Sequence, residues 1–412
     1  MKHIIFNEDY NQNKYFFESG KDDEIFIKNK KLIDLSHCSG SLILGHNNSI
    51  IQKSLKEYLN KNISIFAHPN IHAIKFSKSI KYFFPNFKKI VFCNSGSEAV
   101  TKALRISRAI NNKKLIVSVT GSWHGSVDKT LFYSDKNLNA KPLSAGLSYD
   151  DQKNILFIPY NDIETSEKIL LKYKNKINCI ILEPVLACLP LPDIKNYLIF
   201  LEKFCKKNNA LLIFDEIITG FRTQYGNIQN QYKIKPDLTT IGKVLGGGLP
   251  IGAIGISNKI FKKINNKNKK VFFGGTFSAN SMSSFVGNKT LLFLKKNKKV
   301  LKDLIKKCKY FERNLNEFLQ IENIDAKVYR YDTILRVVFT RKQALNRLQR
   351  DFLEKKNKSS IIKFKKYLFT KNIYYPKNGI IFFSRATSKK NLDYVLFHIK
   401  KALKKDFNKF KK

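Results

Sequence analysis

The chain of 412 residues is 43% hydrophobic and 13% aromatic, a globular composition that excludes a largely disordered protein. No apolar run approaches the roughly 20 residues needed to cross a bilayer, and residues 1–17 lack a signal-peptide pattern, so we expect a cytoplasmic protein without a membrane anchor. The formal net charge is +44, but the lysines that dominate it are spread over the whole chain without a nucleic-acid-binding motif; we therefore expect no specific nucleic-acid partner, although the positive field would attract anionic ligands.

Short apolar runs alternate with amphipathic stretches in the first two thirds of the chain. The predicted strands are 90–93, 115–119, 155–158, 179–182, 211–214, 238–241 and 253–256. Helical patterns lie between them near 97–110, 163–173 and 196–208. Such alternation predicts an α/β fold with a largely parallel sheet that helices cover on both faces.

From about residue 284 the pattern changes to long lysine-rich amphipathic helices with a few strands, at 326–329, 335–339 and 380–383. We interpret this part as a second, smaller α/β domain. The predicted division is a large domain at 61–290 and a small domain at 291–412, with residues 1–60 joining the small domain. The polar segment 265–270 is predicted to be an exposed loop.

Cysteines give no sign of a disulfide framework or a metal centre. Six are present, without paired spacing. No Cys-x-x-Cys and no Cys/His ligand motif occurs, so the sequence predicts free thiols in a reducing compartment and no metal site.

Lys243 is the first candidate for chemistry. It follows the predicted strand 238–241, with Gly242 before it and Gly246 shortly after it. Glycines let the backbone pass close to a ligand and leave the lysine side chain free to swing, as a Schiff-base lysine requires. A glycine-rich loop with a lysine could equally cradle a nucleotide.

Asp215 separates these alternatives. It ends the apolar strand 211–214, and the carboxyl ends of parallel strands face the ligand crevice. A carboxylate there can keep a pyridine nitrogen protonated, which makes the ring an electron sink. No phosphate-binding loop of the Walker type exists anywhere in the chain, which argues against the nucleotide. The alternative for Asp215 is a helix cap or a structural ion pair.

Two further motifs follow predicted strands. Ser95, Gly96 and Ser97 lie between a strand and a helix, where free backbone amides and a partial positive charge suit a phosphate; the alternative is a plain N-cap. Trp123, the only tryptophan, stands in a glycine-flanked polar segment, where a flat ring can stack on a flat cofactor. A core aromatic would have apolar neighbours. His124 is equally compatible with a catalytic and a structural role.

Together, in this order, these motifs resemble the class III (subgroup II) aminotransferases of fold type I, in particular the branch that contains glutamate-1-semialdehyde 2,1-aminomutase. The resemblance runs from 42–46 to 384–387 and is densest at 214–222 and 235–243. It implies a two-domain α/β enzyme with a mostly parallel seven-stranded sheet, and pyridoxal 5'-phosphate (PLP) as cofactor.

The same resemblance assigns roles to the candidate residues. Lys243 would carry PLP as a Schiff base, and Asp215 would pair with its pyridine nitrogen. The phosphate would be held by one group and the ring flanked by another: Ser95, Gly96 and Ser97 for the phosphate, Trp123 and Ile217 for the two ring faces, and His124 and Glu183 beside the cofactor. Thr276 would reach the phosphate of the neighbouring subunit, which implies a homodimer.

Some positions depart from the aminomutase pattern. Where the aminomutases have a serine–tryptophan pair, residues 37–40 read His-Cys-Ser-Gly, and Cys188 replaces an asparagine. The arginine motif that binds the substrate carboxylate is missing from residues 1–20, and the segment 376–383 lacks an acidic residue. We therefore expect amino transfer between an amino donor and an aldehyde or keto acceptor. The alternatives are the intramolecular aminomutase reaction that forms 5-aminolevulinate and a non-enzymatic PLP-fold protein; the intact pair of Lys243 and Asp215 argues against the latter.

Overall fold

The structure is a computed structural model that describes residues 16–61, 65–265 and 270–407. The strands are β1 Ser19–Lys21, β2 Glu24–Ile27, β3 Lys30–Asp34, β4 Phe87–Cys93, β5 Leu115–Val119, β6 Phe132–Ser134, β7 Ala140–Pro142, β8 Ile155–Ile158, β9 Ile177–Leu182, β10 Leu211–Asp215, β11 Leu238–Ile241, β12 Gly252–Ser257, β13 Lys327–Tyr331, β14 Ile334–Val338, β15 Ile373–Tyr374 and β16 Ile380–Phe382. The helices are α1 Ser49–Asn60, α2 Ile71–Phe83, α3 Gly96–Asn111, α4 Tyr149–Lys153, α5 Ile163–Tyr173, α6 Lys195–Lys207, α7 Ile228–Tyr232, α8 Asn258–Ile264, α9 Ser281–Lys296, α10 Lys299–Ile321, α11 Arg347–Glu354, α12 Lys358–Thr370 and α13 Lys389–Asp406, with short 3-10 turns between some of them.

A seven-stranded sheet forms the centre of the molecule, in the order β4-β12-β11-β10-β9-β5-β8. Only β12 runs against its neighbours β4 and β11, and the remaining pairs are parallel. Every predicted strand of the large domain is present, with ends that differ by at most three residues. The predicted α/β fold with a mostly parallel seven-stranded sheet is confirmed.

The sheet is apolar on both faces because helices cover both. Along β10, Leu211 and Ile213 pack into one cluster with side chains of α3, whereas Leu212 and Phe214 pack into another with side chains of α6. These four side chains are at most 3% exposed, and each contributes about 1.5–3 kcal/mol of burial free energy. A strand that is buried on both faces has a continuous apolar sequence, and in β10 this apolar sequence ends at Asp215.

The C-terminal part carries a separate antiparallel sheet, in the order β13-β14-β16. Phe311 on α10, Phe364 on α12 and Leu396 on α13 belong to an apolar cluster that also includes Ile241 of the central sheet. The N-terminal strands join the C-terminal part through β3, which pairs in parallel with β15. The domain boundaries at 60/61 and 290/291 stay a prediction.

Two predictions fall partly on residues that the structure does not describe. Asn265 and Lys270, at the ends of the predicted exposed loop, are exposed, while 266–269 lie outside the described residues. Most of the N-terminal stretch in which we found no arginine motif and no signal peptide, residues 1–15, also lies outside them. Within the described ranges, no helix has both the length and the apolar character needed to cross a membrane.

Candidate active site

The candidate residues meet at the carboxyl edge of the central sheet. Asp215 is the last residue of β10, and Lys243 opens the 3-10 turn Lys243–Gly246 just after β11. Thr240 on β11 donates a hydrogen bond from its hydroxyl to Oδ1 of Asp215 over 3.0 Å. Two adjacent parallel strands therefore bring the lysine and the aspartate to one place, as the sequence predicted.

Asp215 is held from several directions. The residue is 3% exposed, and its Oδ2 lies 2.8 Å from Nδ1 of His124. Its Oδ1 also accepts the backbone N–H of Ile217 over 3.3 Å. Because a carboxylate offers about four acceptor positions, these bonds fix its orientation and leave capacity for a further donor. The sequence left the role of His124 open; the structure places it against Asp215.

Lys243 occupies a constrained position. Its φ of +50° is left-handed, a region that costs a residue with a side chain about 1–2 kcal/mol. Burial lowers the pKa of its amine to about 8, while the negative charges of Glu183 and Asp215 act in the opposite direction. At pH 7 roughly a tenth of the amine is then neutral, compared with less than about a thousandth for an exposed lysine.

Glu183 links the loop that carries Trp123 to the end of β9. Its Oε1 accepts the backbone N–H of Trp123 over 2.8 Å, and its Oε2 accepts that of Ala187 over 3.4 Å. Burial and, second, the charge of Asp215 raise the pKa of the Glu183 carboxyl to about 7. This carboxyl therefore changes its charge near neutral pH, next to the Lys243 amine.

Ser95, Gly96 and Ser97 form the start of α3. Ser95 is its N-cap, with Oγ accepting the N–H of Glu98 over 3.1 Å, so the plain capping role is real. The first N–H groups of a helix have no acceptor within the helix and remain available to an anion. Oγ of Ser97 accepts the N–H of Ser126 over 3.1 Å, which joins this turn to the Trp123 loop.

Glycines allow the backbone to approach closely around this turn. A Cβ added to Gly252 would lie 2.2 Å from the carbonyl oxygen of Ser95, and one added to Gly96 would lie 2.6 Å from Cδ1 of Ile217. Ile217 also lies 3.6 Å from the position of a Cβ on Gly242. The Ile217 side chain therefore sits between the helix start and the lysine turn, where one face of a planar ring would contact it.

Trp123 is half-exposed, at 50%, which excludes the alternative of a core aromatic. Its loop is tied to the site through His124, which contacts Asp215, and through Glu183, which accepts the N–H of Trp123. The amides at the start of α3 suit a phosphate, and the Asp215 carboxylate suits a pyridine nitrogen. The buried Lys243 amine suits an aldehyde, and the Trp123 indole suits one face of a ring. These residues fit PLP.

Thr276 is not drawn into this cluster within the chain. It is exposed, and its carbonyl oxygen accepts the N–H of Ala67 over 3.1 Å. None of the described hydrogen bonds or ion pairs joins it to Lys243 or Asp215.

Arg222 is a buried residue near the site to which the sequence analysis assigned no role. It is fully buried, and its Nε and Nη2 donate to the carbonyl oxygen of Gly40 over 2.8 and 2.5 Å. Burial lowers the pKa of its guanidinium to about 10, and its positive charge helps to lower the pKa of Lys243. The signal that could have found it is its place in the densest motif, seven residues after Asp215.

Comparisons with known proteins agree with this geometry. The family profile described as Aminotransferase class-III matches residues 8–364. Glutamate-1-semialdehyde 2,1-aminomutase of Methanococcus maripaludis is 35% identical over 86% of this chain and 82% of its own length, and that of Archaeoglobus fulgidus is 39% identical over 69% and 68%. The crystal structure of an omega-transaminase from Sphaerobacter thermophilus superposes with a TM-score of 0.87 at 21% identity, over 94% of this chain and 90% of that one, which supports the fold. The chain therefore belongs to the class-III aminotransferase family, whose members are PLP enzymes.

Proposed function

We propose that this protein moves an amino group from an amino donor to an aldehyde or keto acceptor at the site built around Lys243. The observation that carries the proposal is the buried Lys243 amine, whose pKa of about 8 responds to the carboxylates of Glu183 and Asp215. PLP, when bound, supplies an electron sink for the electrons released at the substrate carbon. The protein supplies the groups that hold this cofactor and move the proton.

Each candidate residue has a role in this proposal. Nζ of Lys243 would hold the cofactor covalently and, when free, would take the proton from the donor's α-carbon. Asp215, oriented by His124 and Thr240, would keep the ring nitrogen protonated. Other residues would bind and cover the cofactor. Its phosphate would be bound by Ser95, Gly96 and Ser97, its ring would lie between Trp123 and Ile217, and Glu183 would lie beside it.

The assignment of Lys243 can be tested without a known substrate. Purified protein should be yellow, and borohydride reduction should fix a pyridoxyl group on one peptide. We expect that peptide to contain Lys243. A pyridoxyl group on any other lysine would overturn the assignment.

Two departures from the aminomutase pattern, at 37–40 and at 376–379, support amino transfer between two molecules. An aminomutase must retain its diamine intermediate, which calls for a firm grip on the substrate carboxylate and a gate. The turn at 37–40 carries no tryptophan, and the turn at 376–379 carries no carboxylate. Its Asn378 instead accepts the N–H of Ile380 through Oδ1 over 3.0 Å. A less enclosed site should release its keto product and await a second substrate.

The aminomutase reaction is the second candidate, because the relatives at 35% and 39% identity carry that name. The test is to incubate the PLP form with glutamate 1-semialdehyde alone and, separately, with glutamate or alanine. We expect a simple amino donor to convert the enzyme to its pyridoxamine form and an unrelated aldehyde or keto compound to reverse this. Rapid, stoichiometric formation of 5-aminolevulinate without any donor would assign the aminomutase reaction instead.

We further propose a homodimer in the cytoplasm. Apolar side chains are exposed around the segment that carries Thr276, among them Ile71, Ile74, Phe272 and Phe277 with 53%, 51%, 73% and 55% exposure. An exposed apolar patch of this kind is typical of an interface. A second copy covering it would bring Thr276 toward the phosphate site of its partner. The free state of all six cysteines supports a reducing compartment.

A further inference from the structure

A second cluster of potential ligands lies outside the candidate PLP site. Asp34 ends β3, and His37 and His46 belong to the segment that follows it. One potential ligand atom from each residue lies within 4.8 Å of the other two. All three residues are buried, with exposures of 3%, 0% and 9%, respectively. Nε2 of His46 lies 2.8 Å from Oδ2 of Asp34.

His37 is the unusual member of this cluster. Neither of its ring nitrogens has a hydrogen-bond partner among the described residues. Leaving a buried polar atom unpaired costs about 1–3 kcal/mol. A fully buried imidazole without a partner therefore requires an explanation, such as an ion bound to it. An imidazole nitrogen that has no hydrogen-bond partner is available as a metal ligand.

The backbone holds the His37 ring in this position. His37, Cys38 and Ser39 have φ values of +43°, +52° and +54°, and a left-handed residue with a side chain costs about 1–2 kcal/mol. The turn is closed by hydrogen bonds from Gly40 N to Ser36 O over 2.9 Å and from Leu42 N to His37 O over 3.1 Å. Backbone strain of this kind is common at functional sites, so a strained turn that buries the His37 imidazole suggests a binding role for the ring.

The carboxylate and the second imidazole are also oriented. Oδ1 of Asp34 accepts the N–H of Ser36 over 2.7 Å, which turns Oδ2 toward His46. A Cβ on Gly20 would lie 2.6 Å from Nδ1 of His46, so the absence of a side chain at Gly20 leaves room for the imidazole. Ligands that are oriented by neighbouring groups in this way are characteristic of metal sites.

We propose that Asp34, His37 and His46 form a binding site for a divalent transition-metal ion, in the first place Zn²⁺. The set of two imidazole nitrogens and one carboxylate oxygen suits Zn²⁺, whereas Ca²⁺ and Mg²⁺ prefer oxygen ligands. Tetrahedral Zn²⁺ with bonds of about 2.0–2.1 Å places its ligands roughly 3.3 Å apart. The three ligand atoms lie within 4.8 Å of one another, so small side-chain rotations would complete the site.

A bound ion would join the end of β3 to the turn that contains Gly40, the residue that accepts hydrogen bonds from Arg222. Loading the site would thereby stabilise the attachment of the N-terminal segment to the large domain. We expect weaker binding than at structural zinc sites with four protein ligands, because this site offers three.

The test uses the full-length PLP-loaded protein, stripped of metal with a chelator and titrated with Zn²⁺ by calorimetry and with Co²⁺ by absorbance beyond the PLP band. We expect one ion per chain, a tetrahedral Co²⁺ spectrum and a higher unfolding temperature. His37→Phe should abolish all of these and still fold, because it replaces an unpaired buried imidazole with an apolar ring. His68→Gln, which changes an exposed histidine, should bind like the wild type.

The proposal is overturned if the wild type binds no stoichiometric Zn²⁺ or Co²⁺, or if His37→Phe binds as tightly as the wild type. Neither readout requires a substrate. The result is thus independent of which amino-transfer reaction the enzyme catalyses.

Discussion

Replacing Lys243 with methionine should make the cofactor-free protein more stable near neutral pH. Burial lowers the pKa of this lysine from 10.5 to about 8. Each pKa unit corresponds to about 1.4 kcal/mol, so holding the charged amine in the folded state costs about 3 kcal/mol below pH 8. Methionine keeps the unbranched side chain and the same backbone strain and removes only the charge. For a chain of this length the gain corresponds to roughly 4 °C in Tm.

The gain should depend on pH in a defined direction. Between pH 8 and 10.5 the unfolded chain binds the lysine proton more tightly than the folded chain, so the stability of the wild type rises with pH across this window. The methionine variant lacks this contribution. The difference between the two proteins should therefore be about 3 kcal/mol at pH 7 and should approach zero above the upper end of the window.

Denaturant unfolding of both apo-proteins at several pH values measures this difference. Lys206→Met, which changes an exposed lysine on α6, is the matched control and should alter stability by less than about 0.5 kcal/mol. A methionine variant that is no more stable than the wild type at pH 7, or a gap that stays constant up to the end of the window, would refute the reasoning from burial.

The remaining predictions concern cofactor chemistry, assembly and access. Asp215→Asn should keep PLP bound but slow the donor half-reaction by orders of magnitude, because the ring nitrogen loses its charged partner; an unchanged stopped-flow rate would contradict this role. Mixing Lys243→Ala with Thr276→Ala chains should give hybrid dimers with one intact site, and verified hybrids without recovered activity would argue against a contact across the interface. Gly252→Ala places a Cβ 2.2 Å from the carbonyl oxygen of Ser95, so a PLP titration should show weaker binding, and unchanged affinity would show that the 95–97 turn can move. Raising NaCl from about 20 to about 200 mM should slow PLP association with the apoenzyme, since the surface is strongly positive, without moving the pH midpoint set by Lys243; a shifted midpoint would show that surface charge reaches the site.

The large sheet could be predicted because its strands are buried on both faces. A run such as 211–214 is continuously apolar and ends at a charged residue, so both its type and its end are visible in the sequence. The N-terminal strands β1, β2 and β3 were not predicted. They contain only three to five residues each. They pair with one another, and β3 also pairs with β15, which is far away in the chain.

The site was predictable as a set of residue types but not as a set of contacts. Strand ends and glycines placed Lys243, Asp215 and the 95–97 turn at one edge of the sheet. The bond between His124 and Asp215 joins positions 91 residues apart, and no local pattern reports it. The cluster of Asp34, His37 and His46 was not singled out for a similar reason: its side chains converge only through a left-handed turn and have no regular ligand spacing.

The net charge of +44 and the chemistry of the site are nearly independent of each other. The influences that set the pKa of Lys243 are burial, Glu183, Asp215 and Arg222, all of them local and none of them a surface lysine. Exposed charges are screened within about 8 Å at physiological ionic strength. The exterior can therefore carry an excess of lysines without altering the proton affinity of the Lys243 amine. The surface charge then affects the association rate of anionic ligands, while burial at the sheet edge sets the pKa of Lys243.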